Sequence, residues 1–345
     1  MGDAVTRMEP IPSDDLPVQG SVQIVRLGHV EYRVTDLERA RHFYVDLLGF
    51  HETERDRDHI YLRAIEDREH HTVTLHKAAS SGVSHIGFKV AGPEALDRLE
   101  RRFRRLGLLV QWLRADQEHG QGRALRVRDP FGFPIEYYCE MEEVTPLLQR
   151  HDLHRGVAPT RVDHVNVLVP DGHAGFLWYT GELGFRCAEL TEGPDGRVWA
   201  SWNYRKSTVH DVAVMTGPGP AVHHAGIALA EPFNVIRGCD ILAGAGLADS
   251  IERGPARHGI SNALFVYVRD PDGNRMELYT GDYLTGDPDF KTIRWKLDDP
   301  RRQTLWGPPP PRRWFEEYMR VESLETGELV EVTPPLSRAI PTYVD

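Results

Sequence analysis

The sequence predicts an α+β fold made of four tandem βαβββ modules, paired into two similar domains. Three observations predict it. The chain repeats itself: Gly28-His29-Val30-Glu31, Phe43-Tyr44 and Leu48-Gly49-Phe50 return as Asp163-His164-Val165-Asn166, Trp178-Tyr179 and Leu183-Gly184-Phe185, always 135 residues later. A turn repeats with them. Arg128-Asp129-Pro130-Phe131-Gly132 returns as Arg269-Asp270-Pro271-Asp272-Gly273, and Glu136 and Glu277 follow at the same spacing. Within each half there is a weaker repeat of strand, helix and three strands.

In chain order, residues 1–20 carry Pro10, Pro12 and Pro17 among acidic residues and read as a flexible arm. Val25 to Val34 is a strand. Asp36 caps the helix from Leu37 to Leu48, whose Ala40, Phe43, Tyr44 and Leu47 form a buried stripe and which Gly49 ends. Strands follow near Ile60 to Ala64 and His71 to His76, then Ser84 to Val90. The amphipathic helix Pro93 to Leu106 turns Leu96, Leu99, Phe103 and Leu106 to one side and stops at Gly107. Strands at Val110 to Leu113, Ala124 to Val127 and Pro134 to Tyr138 complete the first domain, 21–145. A linker, 146–158, leads to the second domain, 159–285. The tail, 286–345, is proline-rich, with a short helix expected near Arg313 to Val321, and is a candidate lid.

With 345 residues the chain is long enough for two ordinary domains, and 40% hydrophobic with 27% charged residues is a soluble composition. The net charge of -11 argues against nucleic acid or an anionic membrane as partner. No run is long and apolar enough for a membrane span, and the N-terminus lacks a signal-peptide core. Cys139, Cys187 and Cys239 form no CxxC pattern and fit free thiols in a reducing cytoplasm.

The chemistry concentrates in the second half. In Arg161 to Val169 the strand alternation puts His164, Asn166 and Leu168 on one face. Two histidines and one carboxylate on separate strands, His164, one of His223-His224, and Glu277, are the parts of a facial triad for a divalent metal. Of the pair, His224 shares its face with small Gly226 and Ala228, which leave room for a bound ring. His223 shares a packing face with Ala225, Ile227 and Leu229, so His224 is the expected ligand. The first half offers His29, His85 and Glu136 at the equivalent places, and His70-His71 echo His210. Arg33 and Lys89 on the same faces oppose a divalent ion, and this half is read as a remnant without metal.

These stretches resemble the type I extradiol ring-cleaving dioxygenases of the vicinal oxygen chelate (glyoxalase/bleomycin-resistance-like) superfamily. The matching segments add Trp202, Arg205 to Asp211, Glu252 to Ala263 and Tyr283 to Asp289. The closest branch acts on homoprotocatechuate (3,4-dihydroxyphenylacetate). The resemblance implies two incomplete barrels and His164, His224 and Glu277 as ligands of Fe(II), with Mn(II) as the alternative. It implies His210 as the acid/base histidine, and Asn166, Tyr267, His258 and Trp202 around the substrate. It also implies Arg253 as the residue receiving a substrate carboxylate, catechol and O2 as reactants, and a homotetramer. A second arginine of that family falls on Gln303 here, with Arg302 one residue away. The rival readings are an extradiol enzyme for catechol or another substituted ring, a 4-hydroxyphenylpyruvate dioxygenase, and a non-catalytic protein that sequesters a ring compound.

Overall fold

The computed structural model describes residues 23–337, so the arm expected over 1–20 lies outside the described residues. In the first half the strands are β1 (Ile24–Val34), β2 (His51–Arg55), β3 (His59–Arg63), β4 (Val73–Lys77), β5 (Gly82–Val90), β6 (Val110–Leu113), β7 (Ala124–Arg128) and β8 (Pro134–Tyr138). They form one sheet in the order β2-β3-β4-β1-β5-β8-β7-β6. One βαβββ module runs from β1 through its helix to β4, and the next from β5 to β8. The second half repeats this with β9 (Pro159–Val169), β10 (Arg186–Glu192), β11 (Val198–Tyr204), β12 (Val212–Thr216), β13 (Ala221–Leu229), β14 (Ile251–Arg257), β15 (Leu264–Arg269) and β16 (Arg275–Thr280). Its order is β14-β15-β16-β13-β9-β12-β11-β10, and the tail adds β17 (Ile293–Lys296) beside β10 and β18 (Met319–Arg320) beside β13.

Local chemistry sets the boundaries. Asp36 accepts a hydrogen bond from the Arg39 amide, and its counterpart Asp171 accepts from His173 and Ala174. Each of these helices starts as an α-helix and widens to a π-helix, at His42–Leu48 and at Trp178–Glu182. The widened turns carry the repeated aromatic pairs, and Phe43, Tyr44, Trp178 and Tyr179 are all buried. Pro93 and Pro232 occupy first-turn positions of the other two long helices, where a missing N–H costs nothing.

The two halves share one apolar core. It runs from Ile24 and Val30 through Phe88 and Phe103 to Trp178, Phe185, Val222 and Val321. Polar ties cross between the halves as well: the Leu27 amide donates to Asp211 at 2.8 Å, and the Tyr44 hydroxyl to Asp270 at 3.1 Å. Two sequence expectations need correction. Strand β2 was absent from the sequence reading, because His51-Glu52-Thr53-Glu54-Arg55 lies at a sheet edge, is half-buried to exposed, and has no apolar alternation. The tail helix is Arg312–Glu316 only, since Met319 and Arg320 leave it to pair with Val222 and Ala221. The tail then reaches the first half, where Glu322 pairs with Arg33 and Ser84.

Candidate metal centre

Three neighbouring strands carry the triad. His164 on β9 lies across from Gly226 on β13, and Gly226 lies beside Glu277 on β16. The missing side chain is what lets them meet. A Cβ built on Gly226 would lie 2.1 Å from His164 Cε1. The sequence reading assigned the space over Gly226 to a bound ring, but the His164 imidazole occupies it. His224, one strand over, faces Glu277, while His223 turns to the tail. Donor atoms of His164, His224 and Glu277 lie within 4.8 Å of one another, and all three residues are buried. We predict that Gly226→Ala displaces the His164 ring, lowers stability by about 1–3 kcal/mol and weakens metal binding. Thermal unfolding and metal analysis check this, and unchanged metal affinity would refute the packing argument.

Hydrogen bonding sets the imidazole tautomers. The Trp314 carbonyl, 2.8 Å from His223 Nε2, can only accept, so His223 is protonated at Nε2 and bare at Nδ1. His224 Nδ1, 2.7 Å from that bare nitrogen, must donate to it, which turns the His224 Nε2 lone pair toward Glu277 Oε2 at 3.3 Å. His164 Nδ1 faces Asp163 Oδ2 at 3.2 Å, and its Nε2 faces the same Glu277 oxygen at 3.1 Å. Donor groups of this kind converge on a cation, with the far ring nitrogens fixed by outer partners. Burial opposes charge on Glu277, but His164 against it holds its carboxyl well below the usual range. Burial pulls His164 down, yet Asp163 and Glu277 outweigh it and raise its pKa, as expected of a site that attracts positive charge. Burial pushes His224 down to about 4, so this imidazole is neutral and free to coordinate. The set fits a divalent ion such as Fe(II) or Mn(II).

A cavity opens on the triad, lined by Asn166, Trp202, His210, Tyr267, His258 and Arg302, with Met215, Ile260, Ser261, Gln303 and Trp314 completing its walls. The Glyoxalase/Bleomycin resistance protein/Dioxygenase superfamily model matches residues 26–137 and 161–278. The chain is 34% identical over 302 residues to a manganese-dependent 2,3-dihydroxybiphenyl 1,2-dioxygenase of Geobacillus genomosp. 3, covering 84% of this chain and 95% of that one. It is 32% identical to a metapyrocatechase of Geobacillus stearothermophilus, covering 89% and 96%. The crystal structure of homoprotocatechuate 2,3-dioxygenase from Arthrobacter globiformis superposes with a TM-score of 0.88 at 41% identity, covering 92% of this chain and 98% of that one. The chain belongs to the extradiol dioxygenases of this superfamily. The substrate complex of the Brevibacterium fuscum homoprotocatechuate enzyme, with 3,4-dihydroxyphenylacetate, matches equally, at a TM-score of 0.88 and 40% identity.

Around the triad of this dioxygenase, the His210 ring lies 3.9 Å from that of His164, and burial first, then His164, pushes its pKa well below the ordinary value. His210 is therefore neutral at pH 7. The Tyr267 hydroxyl donates to His258 Nε2 at 3.2 Å, and His258 Nδ1 donates to the Gln303 carbonyl. Asn166 reaches Met215 Sδ at 3.1 Å. Trp202 stands on β11 at the cavity wall.

Arg253 is not among the residues that line this cavity. It is buried on β14, packed against Phe265, Tyr267 and Trp314, and its Nη2 donates to the Gln303 carbonyl and to Thr304 at 3.0 and 2.8 Å. Arg302, also buried, lines the cavity beside Gln303. Sequence reasoning missed the wall residues Met215, Ile260 and Trp314, whose apolar character is that of any core residue. It also missed Asp163, which orients His164 and is itself held by Arg161 at 2.8 Å. Glu189 escaped it too, a buried carboxylate gathering Ser261 N, Tyr283 and Trp295 and so fixing the 258–262 loop to the tail.

Proposed function

We propose that this dioxygenase opens 3,4-dihydroxyphenylacetate beside its diol, giving a muconic semialdehyde. His164, His224 and Glu277 would hold the metal, whose 2+ charge, less one carboxylate, leaves about one positive charge for a catecholate monoanion. When bound, the ion supplies Lewis acidity and open positions for the diol and dioxygen. Tyr267 and His258, already hydrogen-bonded to each other, are placed to take the proton leaving a catechol hydroxyl. Neutral His210, against His164, has a bare ring nitrogen that would take up the second catechol proton and return it to oxygen as the O–O bond breaks. Asn166 and Trp202 contribute donors where oxygen becomes anionic.

The observation that carries the substrate reading is Arg302, a buried arginine that lines the same cavity as the triad. A side-chain carboxylate must be desolvated on binding, which calls for a forked cation. Arg253 supports it from behind by holding Gln303 and Thr304. This reverses their expected order of importance, since the sequence put Arg253 first.

Arg302→Ala is expected to raise KM for 3,4-dihydroxyphenylacetate by about tenfold or more, the scale of one lost charged hydrogen bond, and to leave plain catechol nearly unaffected. Arg253→Ala should act in the same direction through the 303–304 turn. A wild-type preference for catechol, or equal losses on both substrates, would refute the carboxylate reading. The apolar walls Met215, Ile260 and Trp314 favour a second reading, a catechol with an apolar ring substituent. The metal is Fe(II) first and Mn(II) second, the ion named for the Geobacillus relative. We further read the chain as a cytoplasmic homotetramer with domains at 21–145 and 159–285 and a lid in the tail. No described helix is long and apolar enough to cross a membrane.

A further inference from the structure

The first half reproduces the metal centre strand for strand. His29 on β1 lies across from Gly87 on β5, and Gly87 lies beside Glu136 on β8, the same register that joins His164, Gly226 and Glu277. A Cβ on Gly87 would meet the His29 ring at 2.3 Å, as one on Gly226 meets His164. His85 pairs with Glu31 across the sheet where His224 pairs with Asn166. The donor spacings are those of a coordination sphere: His29 Nε2 to His85 Nε2 2.9 Å, His29 Nε2 to Glu136 Oε1 3.4 Å, and His85 Nε2 to Glu118 Oε2 3.7 Å. His71 stands to His29 as His210 does to His164, with ring centroids 5.3 Å apart. His71 Nε2 and His29 Nδ1 are buried without a hydrogen-bond partner among the described residues.

One position differs decisively. Across from Glu136, where the second half has Tyr267 across from Glu277, β7 carries Arg126. Its Nε donates to Glu136 Oε2 at 2.8 Å, its Nη2 pairs with Glu118, and that Nη2 lies 3.1 and 3.3 Å from the two ring nitrogens of His85. A guanidinium there satisfies both carboxylates and repels an incoming dication from the same donors.

We propose that Arg126 is the resident cation of a second, complete set of metal donors, and that removing its guanidinium creates a divalent-metal site at His29, His85, Glu118 and Glu136. With four protein donors such a site is nearly closed, in contrast to the open catalytic one. It would hold a structural ion of the Mn(II) or Zn(II) class.

The test is metal analysis of purified wild type, Arg126→Met and Arg126→Gln after equilibration with Mn2+ and removal of free ion. Gln keeps an N–H for Glu118 should the Met variant fail to fold. Ring cleavage by the second half serves as the folding control. Wild type is expected to hold about one Mn2+ per chain and a folded Arg126 variant about two, with the added ion lost when His29→Ala is combined with it. Only this increment is read, so the result does not depend on which residues bind the catalytic ion. Two ions in wild type, one of them lost in His29→Ala, would overturn the proposal, as would no increment in an Arg126 variant that keeps ring-cleaving activity.

Discussion

Glu277→Ala is expected to leave a folded protein that holds no metal and cleaves no ring, with kcat/KM down by well over the roughly 100-fold that loss of an outer supporting residue costs. Glu277 is the single anion of the triad, and its Oε2 is the atom both imidazoles face, at 3.1 and 3.3 Å. Removing it takes away a ligand and the charge that draws a dication into a buried pocket. Alanine leaves no buried acceptor behind, so the fold has little reason to fail. Circular dichroism, metal analysis and turnover of a catechol check the three parts of this statement. Full metal occupancy with full turnover in Glu277→Ala would remove Glu277 from the centre.

The second large effect is expected at His210. His210→Asn and His210→Phe should keep the metal, since the ring packs against His164 and is not one of the three converging donors. Catalysis should fall by about 10²–10⁴-fold, the range for loss of a positioned acid or base. Burial holds His210 neutral, so its contribution is a ring N–H and a bare nitrogen, and not a permanent positive charge. The loss should therefore appear in kcat at saturating catechol and oxygen, with little change in catechol binding. Metal loss in His210→Asn matching that of His224→Ala would show that His210 has another role.

The modules and the converging residues were legible in the sequence because duplication writes each feature twice. His164 and Glu277 stand out through the company of Gly28-His29 and Glu136, and His224, the member of its pair on the face of Gly226, has donor atoms near theirs. What depends on contacts between distant strands was not legible. Arg33 and Lys89 looked able to repel a metal from the first half, yet they turn to Glu322 and Glu69. The cation that does sit there is Arg126, and only the β7–β8 register places it. Gly254-Pro255 has the composition of a break, yet the strand that carries Arg253 continues through that pair. Gly226 was read as room for substrate, when its space belongs to a ligand ring.

If His164, His224 and Glu277 hold the metal of this extradiol dioxygenase, ring cleavage must come and go with the ion and with Glu277. The most direct measurement is to remove metal, reload anaerobically with Fe(II) or Mn(II), add 3,4-dihydroxyphenylacetate or catechol, admit oxygen and follow visible absorbance. A yellow muconic semialdehyde is expected from the reloaded wild type, and none from the metal-free protein or from reloaded Glu277→Ala. Equal yellow product from metal-free and reloaded protein, or none from any catechol despite full metal loading, would contradict it.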